Sequence, residues 1–93
     1  MKYLIKMPFS VHFGPQPTKF IKKLDAQTKE RIKNKLLKLK EDPFPAEVER
    51  VEGHKWEKVF RVRVGDYRIL YLVRYEEELL FVAKIDKRGR VYN

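Results

Sequence analysis

Five arginines and one tyrosine are the side chains of this sequence best suited to chemistry. Arg61, Arg63 and Arg68 fall within VFRVRVGDYRILYLVRY, residues 59–75, while Arg88, Arg90 and Tyr92 follow near the end of the chain. A guanidinium stays charged at any relevant pH, and its planar fork matches a phosphate. The first three share one face if the stretch is a hairpin. Phe60, Val62 and Val64 alternate with Arg61 and Arg63, the period-two pattern of a half-buried strand. Gly65-Asp66 fits a type II′ turn, because glycine tolerates the positive φ of the first turn position. With Val64 opposite Tyr67, Val62 lies opposite Ile69 and Phe60 opposite Tyr71 on an apolar face. The other face then carries Arg63 opposite Arg68 and Arg61 opposite Leu70. Like charges directly across a sheet are destabilising, so the cluster points to an anionic partner. The competing reading is internal, with carboxylates such as Glu47 or Glu49 pairing these arginines.

Other candidates carry less. His12 falls on an early strand and reads as structural, whereas His54 lies in a loop before the arginine strand and suits acid–base work better. Trp56, in the same loop, either stacks on a base or plugs the edge of the core. Tyr67, Tyr71 and Tyr75 read as core-edge residues. The sequence shows no carboxylate–histidine pair, no glycine-rich phosphate loop and no metal-ligand cluster, so neither a cofactor nor a metal is expected.

The elements that position these residues are legible from spacing. Phe9, Val11 and Phe13 alternate with polar residues and predict a first strand. Pro15 and Pro17 are tolerable only in the first turn of a helix, on which Phe20, Ile21 and Leu24 share a face. Asp25 is a fitting N-cap for a second helix. Ile32, Leu36 and Leu39 recur on one side of it, with lysines over the rest as a solvated face. Asp42-Pro43-Phe44-Pro45 ends that helix. Residues 48–52 read as a brief extended segment, and residues 53–58 as a polar loop. Residues 76–78 turn the chain into Leu79–Ile85, apolar enough for a strand covered on both faces. The order is strand, helix, helix and a three-strand meander, an α+β layer with both helices on one face. The arginine face would be left open as a shallow groove. Residues 1–93 read as a single domain, with 1–7 an N-terminal extension.

Composition narrows the partner. Of 93 residues, 22 are Lys or Arg against 13 Asp or Glu, a net charge of +9 that favours phosphate-rich ligands. The chain has no cysteine, which excludes disulfides and thiolate catalysis. No apolar run approaches the roughly 20 residues needed to cross a bilayer, and the expected location is the cytoplasm.

Two stretches resemble the RelE family of bacterial and archaeal toxins, within the wider RelE/ParE group. Phe60 to Tyr71, FRVRVGDYRILY, is similar to the family's YRVRxGDYRxxY signature, and Lys87 to Tyr92, KRGRVY, to its terminal RxxxY element. The resemblance runs from about Phe9 to Tyr92. It implies a small antiparallel-rich sheet with two helices on one face. It implies a ribosome-dependent endoribonuclease that cuts mRNA in the A site without a metal, using the RNA 2′-hydroxyl as nucleophile. It further implies a cognate RelB-like antitoxin. Carried over by position, Arg61, Arg63, Arg68, Arg88 and Tyr92 would form the active surface, with Lys58, Lys87 and Arg90 binding RNA beside it. Several family members have lysine where this chain has Arg61 and Arg63. Arginine is a poor general base, so the proton acceptor falls to Lys58, Lys87, Tyr92, His54 or a ribosomal group. Phe60 also replaces the family's frequent tyrosine. Two rivals stand beside this reading: a ParE-like inhibitor of DNA gyrase, and a non-catalytic relative that binds only RNA or an antitoxin.

Overall fold

The computed structural model describes residues 9–51 and 58–87. Strand β1 (Ser10–Phe13) leads into helices α1 (Pro15–Lys22) and α2 (Ala26–Glu41). The strands β2 (Glu49–Val51), β3 (Val59–Val64), β4 (Tyr67–Arg74) and β5 (Leu79–Lys87) follow. They form one sheet in the order β1-β5-β4-β3-β2, antiparallel throughout except for the parallel β1–β5 pair. The brief segment expected around residues 48–52 is thus a true edge strand. Residues 1–7, His54, Trp56, Arg88, Arg90 and Tyr92, singled out above, lie outside the described residues.

The β3–β4 hairpin adopts the register expected from its alternation: Val64↔Tyr67, Arg63↔Arg68, Val62↔Ile69, Arg61↔Leu70 and Phe60↔Tyr71. Gly65 has φ +58, and among the described residues only Glu78 joins it with a positive φ. A positive φ at the first turn position alone fits type II′.

Helix α1 starts at Pro15, whose missing N–H falls among the donors that have no partner inside a helix. Its Gln16 does a second job. The side-chain amide donates to Ile85 O (2.8 Å) and accepts from Ile85 N (2.9 Å). β1 pairs with β5 only as far as Val82, so the amide satisfies backbone groups where the neighbouring strand has ended. Helix α2 buries Ile32, Leu36 and Leu39 against Val62, Val64, Ile69, Tyr71, Leu80, Val82 and Ile85. Phe20, Ile21 and Leu24 pack at the margin of this core. The helix ends at Asp42 in extended backbone (φ −143, ψ 95) just before Pro43. Both helices lie on one face, as expected.

Two features depart from the sequence reading. Between Leu70 and Tyr71 the pairing with β5 slips, from Leu70↔Lys84 to Tyr71↔Val82, leaving Ala83 as an extra residue. This bulge reverses the phase of β5. Leu80 and Val82 on one side of it, and Ile85 on the other, therefore all reach the main core. The apolar run of β5 thus reflects a change of phase as well as cover on the second face. That second face is also not an open groove along its whole length. Its end remote from the hairpin turn is apolar, with Val59, Leu70 and Leu72 buried beside Val51, Phe81 and Ala83.

Tyr71 closes the core beneath the Pro43 loop, its hydroxyl donating to Pro43 O at 2.5 Å. Burial, with smaller contributions from Asp42 and Glu47, pushes its phenol well above the ordinary value. A raised acidic group contributes stability that is complete below about pH 10, its unfolded value, and that declines as the pH rises toward the folded value. Tyr71→Phe is expected to cost about 1–2 kcal/mol at neutral pH by stranding the Pro43 carbonyl. It should also flatten the alkaline limb of a stability–pH curve above pH 10. An unchanged limb in the variant would remove Tyr71 as its source.

Candidate functional site

The hairpin presents its charged residues on the face away from the helices. Cross-strand partners share a face, so the registers place Glu49 of β2, Arg61 and Arg63 of β3, Arg68 of β4, and Lys84 and Asp86 of β5 together. Arg68 lies between Arg63 on one side and Asp86 on the other. It is 6% exposed, whereas the sequence reading had it lining an open groove. A central strand flanked by two paired strands leaves the stem of such a side chain covered, and only neighbours that extend past it stay in water. Arg63 is exposed and Arg61 half-buried.

Glu49 is the carboxylate that meets Arg61, as Asp86 lies across from Arg68. It accepts a hydrogen bond from Arg61 Nη2. That contact, with Arg63 and Arg68 further off, holds the Glu49 carboxyl below its ordinary range. The internal-pairing alternative is therefore half realised: Glu49 engages Arg61, while Glu47 binds Lys35 of α2 at 2.9 Å. Glu49 and Asp86 set against Arg61, Arg63, Arg68 and Lys84 leave the face positive, and an incoming phosphate competes with Glu49 for Arg61. A depressed carboxylate contributes stability above its unfolded pKa of roughly 4.3, lost as the pH falls through the lower folded value. Glu49→Gln is expected to remove that part of the acid-limb loss. It should also tighten binding of a short RNA at 0.1 M salt by about fivefold, the effect of one more uncompensated cation. An RNA affinity equal to the parent's would show that Glu49 does not screen the cluster.

Lys58 and Lys87 stand apart from the arginine cluster. Lys87 is the partner of Tyr67, whose ring packs edge-on to Phe20 of α1, so it belongs to the helix side. Lys58 lines a shallow pocket with Phe44, Phe60, Leu72, Val73 and Tyr75, at the end of the hairpin remote from its turn. The structure sets Lys87 on the face opposite the arginines and Lys58 at the far end of the hairpin. Lys84 and Asp86 stand on the arginine face instead, and reading β5 by simple alternation misplaces them because of the bulge. His12 is exposed on edge strand β1, at the opposite end of the sheet order from β3.

Residues 11–92 match the family model described as the ParE toxin of type II toxin–antitoxin systems. The chain belongs to the RelE/ParE toxin family. It is similar to a protein described as a RelE toxin from Methanocaldococcus jannaschii, 29% identical over 92% of this chain and 97% of that one. Among solved structures it is similar to RelE in the archaeal RelE–RelB complex from Pyrococcus horikoshii. That match has a TM-score of 0.77 and 29% identity, covering 90% of this chain and 99% of that one. The isolated E. coli RelE toxin matches with a TM-score of 0.68 and 28% identity, over 91% and 90% of the two chains. The RelE-like toxin thus has the two-helix, five-strand α+β fold of these structures. Among its described residues no helix is long and apolar enough to cross a membrane.

Proposed function

We propose that this RelE-like toxin inhibits translation as a ribosome-dependent, metal-independent endoribonuclease that cleaves mRNA in the A site. The observation that carries this reading is the arginine face: Arg68, held in the middle of the sheet, with Arg63 directly opposite and Arg61 beside Leu70. In such a cleavage the 2′-oxygen attacks phosphorus, the bond to the 5′-oxygen breaks, and negative charge builds on the non-bridging oxygens. A guanidinium already in place meets that charge without reorganising. Arg68 takes this role, and Arg61 and Arg63 hold the flanking backbone. Arg88 assists the departing 5′-oxygen, and Tyr92 stacks on or orients a base. Arginine stays protonated, so the 2′-hydroxyl proton goes to another group: Tyr92, His54 or a ribosomal group. A RelB-like antitoxin, by likeness to the P. horikoshii complex, wraps the toxin and neutralises its self-repelling charge. The cytoplasm, where mRNA is translated, is the proposed location.

Primer extension on ribosome-bound mRNA tests the reading. Cleavage is expected to persist under chelation that leaves the ribosome its magnesium, and the products should carry a 2′,3′-cyclic phosphate or its opened form. Products with a 5′-phosphate and a 3′-hydroxyl would mean attack by water, commonly metal-assisted, and would overturn the mechanism. A second reading has its own support, because the matching family model is described for ParE: a gyrase inhibitor with no nuclease activity. A supercoiling assay separates the two, since inhibition of gyrase with intact mRNA would favour the second.

A further inference from the structure

We infer that the toxin has a second RNA-phosphate site, adjoining the cleavage face and sharing Arg63 with it, in the basic pocket between α2 and the hairpin turn. Arg31, Asn34, Lys35 and Lys38 of α2 meet Arg63 and the Gly65 turn around a shallow pocket of about 330 Å³. Lys35 is committed to Glu47 at 2.9 Å. Among the described residues no carboxylate lies within ion-pair distance of Arg31, Lys38 or Arg63. Glu47 and Glu49 reach Lys38 and Arg63 only at longer range, so three cations converge with no carboxylate in direct contact, an arrangement that phosphate oxygens relieve. A Cβ on Gly65 would lie 2.9 Å from Arg31 Nη2, so the guanidinium lies against the bare turn. Asn34 adds an uncharged amide, and Val64 is the one apolar side chain of the lining.

Arg63 links this pocket to the arginine face. β2 pairs with β3 only from Val59 to Arg61, so the edge of β3 is open at Arg63. A nucleic-acid backbone running over Arg68 and Arg63 can continue round this open edge onto α2. The lining favours RNA over an acidic protein. A protein partner needs an apolar anchor for its affinity, whereas a phosphodiester chain binds largely through charge. The inference builds on the RNA reading of the arginine face, but it is a statement about binding and needs no cleavage.

The test uses the full chain and a short single-stranded RNA oligonucleotide, with affinity measured across a salt series. The double variant R31Q/K38Q is compared with K22Q/K23Q, which removes the same charge from the end of α1. R31Q/K38Q is expected to lose affinity about 20-fold at 0.1 M salt, and its log–log salt slope should fall by about 1.4, roughly 0.7 for each of two lost contacts. K22Q/K23Q should lose less than about threefold. Equal losses in the two doubles would mean that net charge alone attracts RNA, and the site would be refuted. It would also be refuted if R31Q/K38Q bound RNA normally, including the case in which it lost antitoxin binding instead. If Arg31→Gln disturbs the turn and lowers the melting temperature, Lys38→Gln alone carries the test, with half the change in slope. The same comparison in an Arg68→Ala background separates the two readings. A preserved R31Q/K38Q effect there would leave this site standing whatever Arg68 does, while absence of cleavage by the parent chain in primer extension would remove the nuclease without touching this site.

Discussion

Arg68→Ala is expected to lower mRNA cleavage by about a hundred- to a thousandfold, the usual result of removing one preorganised donor from a developing oxyanion. Toxicity on expression should disappear with it. The sheet explains why this arginine matters more than its neighbours. Arg68 is 6% exposed on the central strand, between Arg63 and Asp86, so its position is set by two ladders of backbone hydrogen bonds. The hairpin register alone predicts that alanine relieves the repulsion with Arg63 and leaves stability unchanged or slightly higher. Burial reverses that sign. Truncation removes a packed stem and leaves Asp86 and Glu49 with less compensation, a cost of about 1–2 kcal/mol. For a domain of this size the melting temperature should fall by roughly 4–15 °C. Activity must therefore be measured per folded molecule, well below the midpoint. Arg68→Lys should recover only part of the rate, since it keeps the charge and loses the fork. If Arg68→Ala retains full cleavage per folded molecule, Arg68 is a structural residue and the catalytic assignment fails.

Ile69→Ala is expected to give the opposite pattern, a large loss of stability with little loss of chemistry. Ile69 follows Arg68 in the chain but points to the helix side, 0% exposed, with Val62 and Ile85 across from it. Deleting a fully buried isoleucine costs about 2–5 kcal/mol, because neighbours fill the cavity only in part. Domains have about 5–15 kcal/mol in total, so the melting temperature should drop by at least about 10 °C. At low temperature, cleavage per folded molecule should stay within about threefold of the parent. Thermal melts paired with single-turnover cleavage would check this. A hundredfold loss of rate at unchanged melting temperature would show that the arginine face depends on finer packing of the core than its register implies.

The contrast between these adjacent residues rests on information that is local in the chain. Alternation over six residues, a glycine followed by aspartate, and a second, largely apolar run leave one hairpin register that buries the valines. Arg63 opposite Arg68 follows by counting. The helices are equally local: Pro15 starts α1, Ile32, Leu36 and Leu39 recur on one side of α2, and Pro43 stops it. The two-layer α+β arrangement follows, because both apolar faces have only each other to cover them.

What the sequence alone did not contain are the contacts made between distant segments. The bulge at Ala83 depends on how β5 accommodates β4, and it is invisible in a run in which nearly every residue is apolar. It decides that Lys84 and Asp86 join the arginine face and that Lys87 does not. Glu49 reaches Arg61 only because a three-residue strand docks at the edge of β3, and so short a segment carries too little periodicity to announce its pairing. Arg31 and Lys38 read as part of a solvated lysine-rich helix face until α2 crosses beside the open end of β3 and sets them against Arg63. The burial of Arg68 has the same origin. Charge and spacing determined that an arginine cluster exists and which hairpin residues compose it. The sheet order, which places β4 between two partners, decided how deeply that cluster is set and which distant charges surround it.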